Sequence, residues 1–171
     1  MLENTVLKEL YIQIMDGLDV SYHLMEAYDG MPHKYGDSML YQVESHTIEM
    51  IGMNPGITGA ELAVRMKKTP SASSQIIRKL KKKALVFQER NSENNREYNL
   101  YLTDHGWEIY RAHAAVDEEC GQRKLARLSD FTPEELKTYL KIHSMINEEF
   151  EVDVKQAEKT FDSLEENNKR E

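Results

Sequence analysis

Residues 56–103 read GITGAELAVRMKKTPSASSQIIRKLKKKALVFQERNSENNREYNLYLT, and three signals inside this stretch set the fold. The first is Thr58 followed three residues later by Glu61, a capping box. The threonine hydroxyl accepts from the backbone N–H three residues on, and the glutamate carboxylate accepts from the cap residue's own N–H. The short helix that follows turns Leu62, Ala63 and Met66 inward, and small Ala63 lets another helix approach closely. The second signal is Thr69-Pro70, an N-cap and then a proline where no helical N–H is needed. Ile76, Ile77 and Leu80 form the buried side of this second helix, with Ser73 nearer its start. The third is a pair of short strands, Leu85-Val86-Phe87-Gln88 and Tyr98-Asn99-Leu100-Tyr101-Leu102, around the polar loop 90–96. Helix, turn, helix and hairpin wing in that order present a helix end to a DNA major groove.

The second helix sorts its polar residues by chemistry. Ser71, Ala72, Ser74 and Gln75 occupy its N-terminal half, and Arg78, Lys79, Lys81, Lys82 and Lys83 crowd the C-terminal half. Small hydroxyl and amide groups approach base edges, while flanking cations neutralise phosphates. Ser71, Ser74, Gln75 and Lys79 are therefore candidates for base and near-base contacts, and Thr58, Arg78, Lys82 and Arg90 for phosphate. Arg96, near the hairpin tip, is placed to enter an adjacent minor groove. The same residues fit a solvated helix whose C-terminal lysines suit the helix dipole, next to a plain surface hairpin. Order and spacing together favour double-stranded DNA.

The 171 residues suit one domain, or a small domain with long appendages. The net charge of −8 is unevenly placed. Residues 65–90 hold nine cations against Glu89 alone, or +8, leaving 13 basic and 29 acidic residues elsewhere, or −16. Within a Debye length of ~8 Å local charge outweighs the sum, so overall acidity does not exclude nucleic acid. With 40% apolar and 30% charged residues, the chain reads as extended helices whose cores a partner chain completes. No apolar run approaches the ~20 residues that span a bilayer. Glu3, Lys8 and Glu9 interrupt any signal-peptide pattern. Cys120 is the only cysteine, which fits a reducing cytoplasm and excludes an intrachain disulfide.

Outside the opening stretch the reading is helical. Residues 2–28 form an amphipathic helix with Val6, Leu10, Ile14 and Leu18 in one row, a face that must be covered. Residues 29–38, containing Gly30-Met31-Pro32, read as a linker. Residues 39–53 read as a second helix with Leu40, Val43, Thr47, Ile48 and Ile51 inward, stopped by Asn54-Pro55-Gly56. Thr103-Asp104-His105-Gly106 caps a long helix to about Leu128, whose stripe runs Ile109, His113, Val116, Cys120. Thr132-Pro133-Glu134-Glu135 then opens a final helix with a seven-residue repeat. One seam holds Leu136, His143, Phe150, Ala157 and Leu164, the other Leu140, Asn147, Val154 and Phe161. Some 35 helical residues extend roughly 50 Å, and a second subunit is the economical way to cover them.

From about residue 40 to 128 the chain resembles the MarR family of bacterial transcription regulators. The residues that carry the likeness are Pro55-Gly56-Ile57-Thr58, Glu61-Leu62-Ala63, Pro70-Ser71-Ala72-Ser73-Ser74, Leu80-Lys81-Lys82-Lys83-Ala84-Leu85-Val86, Arg90, Arg96 and Leu102-Thr103-Asp104-His105-Gly106. The resemblance implies a mainly α fold, a winged helix-turn-helix over 39–103 with dimerisation helices at 1–38 and 104–171. It also implies a homodimer on a pseudo-palindromic site, tuned by a small effector between the dimer and DNA-binding regions. Two positions depart from the family's pattern. Asn94 replaces its usual aspartate and orients Arg96 less firmly. Ala84 stands where it has glycine, so a left-handed helix cap is strained there.

Other sites weigh less. Cys120, on an apolar stripe without an evident activating cation, reads as a buried structural thiol. His113 and Asp117, one helical turn apart, form a minor metal candidate that His46 or Glu49 would join. Tyr22, Tyr41, His46 and Trp107 could line an effector pocket, although such aromatics usually belong to a core. With no partnered nucleophile, phosphate loop or telling carboxylate pair, neither an enzyme nor a cofactor is expected. The competing class is a winged-helix module that assembles proteins through its long helices without reading DNA. It leaves the concentration of cations on one helix-turn-helix unexplained.

Overall fold

Leu40, Ile48, Ile51, Leu62, Leu80, Leu85, Leu100 and Ile109 are sealed from solvent in a single cluster. In the computed structural model, which describes residues 2–92, 94 and 97–168, these residues come from seven segments. Helix α1 (Leu2–Asp29) is followed by β1 (Pro32–Tyr35), β2 (Ser38–Tyr41) and α2 (Gln42–Met53). Then come α3 (Gly59–Arg65), α4 (Pro70–Lys82), β3 (Val86–Arg90), β4 (Tyr98–Leu102), α5 (Asp104–Leu128) and α6 (Pro133–Asn168). The chain divides after Glu119 into two compact units. The architecture is a mainly helical winged helix-turn-helix with long N- and C-terminal helices.

The local signals act as their chemistry requires. Thr58 Oγ1 accepts from the Glu61 N–H at 3.2 Å, and the Thr58 N–H donates to Glu61 Oε2 at 2.9 Å. Thr69 Oγ1 accepts from the Ala72 N–H at 3.2 Å and starts α4 at Pro70. Helix α4 ends in a Schellman motif: the Leu85 N–H donates to the Leu80 carbonyl and the Ala84 N–H to the Lys81 carbonyl, both at 3.0 Å. Ala84 takes the left-handed position at φ +56°, the strain expected where the family has glycine. The Thr132 and Glu135 side chains close a second capping box ahead of α6.

Two sequence expectations change. Residues 29–38 are not a plain linker, because Pro32–Tyr35 pairs antiparallel with Ser38–Tyr41. Gly36, at φ +60°, takes the first central position of the two-residue turn, as a type II′ hairpin demands. Strands of four residues are too short to display a period of two. The second helix begins at Gln42, not residue 39, and Leu40 is buried from β2 instead of from a helix.

The wing strands pair from Val86↔Leu102 to Arg90↔Tyr98, which places Arg90 on β3 and Leu85 ahead of it. Leu100 also reaches sideways. Its carbonyl accepts from the Gly56 N–H at 2.9 Å and its N–H donates to the Ile57 carbonyl at 3.0 Å. Thr103 ties the wing to α5: its N–H donates to the Leu85 carbonyl at 3.1 Å, and its Oγ1 both donates to the Ala84 carbonyl and accepts from the Gly106 N–H.

The outer helices carry uncovered apolar faces. On α1, Val6, Leu10 and Ile14 are 54%, 51% and 40% exposed. On α6, Leu140, Val154 and Phe161 are exposed, while Leu136 and His143 are half-buried. The Leu164 side chain lies outside the described residues. No helix among the described residues is long and apolar enough to cross a membrane.

Candidate nucleic-acid interface

The 3.6-residue period of α4 puts Ser71, Ser74, Gln75, Arg78, Lys79 and Lys82 within one broad arc. All six are exposed, and the opposite side buries Ser73, Ile77 and Leu80. Ser73 donates to the Gly59 carbonyl at 3.4 Å, so this small hydroxyl holds α4 against the start of α3. An open groove of about 660 Å³ runs beside α4, lined by Thr58, Pro70, Ser74, Arg78, Lys82 and Tyr98 among others. It brings together four of the expected DNA contacts: Thr58, Ser74, Arg78 and Lys82. Ser71, Gln75 and Lys79 stand on the same exposed face, and Arg90 is exposed at the end of β3. Arg96 lies outside the described residues; the Asn94 N–H is held by Asn91 Oδ1 at 2.9 Å.

Two lysines of the basic run have structural partners that the sequence did not reveal. Lys83 Nζ donates to both carboxylate oxygens of Glu44 at 2.9 Å and to the Met39 carbonyl at 3.2 Å. Its ammonium is engaged with the buried Glu44 carboxylate, so it leaves the phosphate-neutralising set. Lys81 Nζ donates to Gln88 Oε1, tying the wing to α4, and both residues line the groove. No helical spacing signals either contact, because both cross a chain reversal.

The expected effector residues have separate surroundings. Tyr22 is exposed on α1 with its ring edge against His23, and Tyr41 is exposed just ahead of α2. Trp107 is half-buried, edge-to-face with Tyr110. His46 meets His113 instead, ring centroids 5.5 Å apart. His113 is only 1% exposed, and its Nε2 has no hydrogen-bond partner among the described residues. Asp117 Oδ2 lies 3.4 Å away but is not aligned for a hydrogen bond. Burial holds the His113 imidazole below the ordinary histidine pKa, against the pull of the Asp117 and Glu49 carboxylates, and so favours the neutral ring. Cys120 differs from expectation: the thiol is half-buried, not buried, with the Arg123 guanidinium 3.7 Å from Sγ. The pair lies one helical turn apart, with Arg123 off the apolar stripe that the periodicity of α5 displays.

An exposed, cation-flanked helix beside a β-wing defines the class of winged helix-turn-helix proteins. The profile of the MarR family matches residues 40–97. HTH-type transcriptional repressors of Mycobacterium tuberculosis and Mycobacterium bovis are 30% identical over 93 residues, 54% of this chain and 67% of their own length. The chain belongs to the MarR family of transcription regulators. Among solved structures, the zinc-responsive MarR family member ZitR of Lactococcus lactis superposes with a TM-score of 0.71 at 23% identity, covering 82% of this chain and 99% of that one. FabT of Streptococcus pneumoniae, solved in complex with DNA, gives 0.64 at 20% identity over 82% and 97% of the two chains.

Proposed function

We propose that this regulator reads a pseudo-palindromic operator as a homodimer, represses from it, and is tuned by a small effector. The observation that carries the reading is the exposed face of α4, where hydroxyl and amide groups precede cations and the groove beside it opens toward the wing. In this reading residues 39–103 meet DNA, and the helical segments 1–38 and 104–171 hold two copies at operator spacing. Ser71, Ser74, Gln75 and Lys79 approach base edges, Thr58, Arg78, Lys82 and Arg90 hold phosphates, and Arg96 enters the minor groove. The apolar rows of α1 and α6 support the dimer, because water is a poor neighbour for them and a second copy offers identical rows. The effector acts between the DNA-meeting and dimerising parts, with Tyr22, Tyr41, His46 and Trp107 as its proposed surroundings.

Fluorescence anisotropy with duplexes from the protein's own upstream region, across a salt series, tests the DNA reading. Gln75→Ala is expected to weaken the retained duplex by about 1–3 kcal/mol while random DNA is hardly affected. Equal losses on both would remove Gln75 as a base reader. Lys82→Ala should weaken every duplex and reduce the salt slope by about 1. For the dimer, sedimentation equilibrium is expected to give twice the 19.9 kDa chain mass. A monomer at all micromolar concentrations would end that part of the reading.

A further inference from the structure

We infer that Glu49, His113 and Asp117 form a binding site for a divalent transition-metal ion of zinc's kind, clamping α2 to α5. The three residues offer one nitrogen and two carboxylate oxygens that all lie within 4.8 Å of one another. The His113 ring is sealed from solvent, and its Nε2 has no hydrogen-bond partner among the described residues. A buried polar atom without a partner is costly, and a metal ion satisfies it directly. One edge of the cluster already has the spacing of a bound ion. Ligand bonds of 2.0–2.2 Å in a tetrahedron hold their donor atoms about 3.4 Å apart. His113 Nε2 and Asp117 Oδ2 are 3.4 Å apart, in contact but not aligned for a hydrogen bond. Glu49, half-buried on α2, needs only a side-chain adjustment to complete a third corner, with water at the fourth.

The surroundings fit the same reading. Two carboxylates and a neutral imidazole balance a 2+ charge, and the mixed nitrogen–oxygen set selects d-block ions over magnesium. The ring of Tyr35 packs edge-on against His113 at 5.1 Å, and its hydroxyl donates to Gln42 Oε1, whose amide in turn meets His46. This chain fixes both rings beside the cluster. Gly52 lets α2 lie directly on the Tyr110 ring of α5, one turn along from Glu49 and His113 respectively. An ion here therefore fixes the seat on α5 of α2, against which α3 and α4 pack. That regulatory consequence rests on the DNA-binding reading above; the metal chemistry does not.

Chelator-stripped full-length protein is titrated with zinc chloride in competition with a chromophoric chelator. One zinc per chain and a raised Tm are expected in the parent. The near-isosteric double variant Glu49→Gln/Asp117→Asn should lose at least about 100-fold in affinity, since even outer-shell partners of a metal commonly account for 10–100-fold. His113→Gln, with its fold checked by circular dichroism, should lose as much. Undiminished zinc binding in these variants would assign the ion to surface groups such as His23 or His105 and overturn the site. Magnesium competing on equal terms would also overturn it. In the DNA arm, zinc should change operator affinity about 5-fold or more in the parent and not in the double variant. Zinc bound at the site with unchanged operator affinity would overturn the regulatory role alone. Loss of all DNA binding, with or without zinc, would instead defeat the proposed function and leave the metal site standing.

Discussion

Gly106→Ala is expected to destabilise the protein by about 3 kcal/mol or more, the upper end of what overpacking costs. A Cβ at this position would run into the Leu85 carbonyl oxygen, and would also sit 3.1 Å from the Leu85 carbonyl carbon and 3.2 Å from Leu102 Cβ. These are backbone and short-branch atoms that cannot swing aside. The same oxygen receives the Thr103 N–H, so relief on one side breaks the tie between wing and α5 on the other. Urea unfolding should show a lowered midpoint with an unchanged slope. Gly121 provides the internal contrast. It also lies in α5, nothing stands within 4 Å of its added Cβ, and its replacement by alanine should stabilise by roughly 0.5–1 kcal/mol. A Gly106→Ala loss below about 1 kcal/mol would mean that α5 can shift away from Leu85 without cost.

Lys83→Ala should cost about 3 kcal/mol and leave the salt slope of DNA binding unchanged. Glu44 is 3% exposed, and its carboxylate takes the Lys83 ammonium on both oxygens while also accepting from the Tyr41 N–H at 3.0 Å. Removing the cation strands a buried charge, which ordinarily costs 3–5 kcal/mol. The low end applies because the lysine side chain is itself 38% exposed and water can follow it in. Lys83→Met combined with Glu44→Gln should recover much of the loss, since the unpaired charge is then gone. Denaturant melts and the anisotropy salt series, run on the same variants, separate the two roles. A drop in salt slope equal to that of Lys82→Ala would return Lys83 to the phosphate-binding set.

What the sequence made legible is what acts over a few residues. Thr58 with Glu61, Thr69 with Pro70 and Thr132 with Glu135 each close within one helical turn, so type and spacing alone located three helix starts. Ala84 was legible for the same reason: the four residues before it end a helix. The Lys83–Glu44 pair joins positions 39 apart, and nothing at either end announces the other. A basic run looks uniform in sequence while the fold pairs its last member, Lys83, with a buried carboxylate. His113 and Asp117 were visible as a helical pair, but the burial of His113 and the reach of Glu49 across from α2 depend on packing. The β1–β2 hairpin was masked by its brevity, and by a proline and glycines that suit a turn and a linker equally well.

The two hydrogen bonds from Leu100 to Gly56 and Ile57 give the wing a mechanical meaning. They splice the chain just ahead of α3 onto β4 as a third rung of the hairpin, while Lys81 and Gln88 brace the other side of it to α4. The hairpin is therefore tied to both helices of the helix-turn-helix at once, through main-chain bonds on the α3 side and a side-chain strut on the α4 side. The wing and the helix pair are thus braced to one another, and the Thr103 knot fastens the same hairpin to the head of α5.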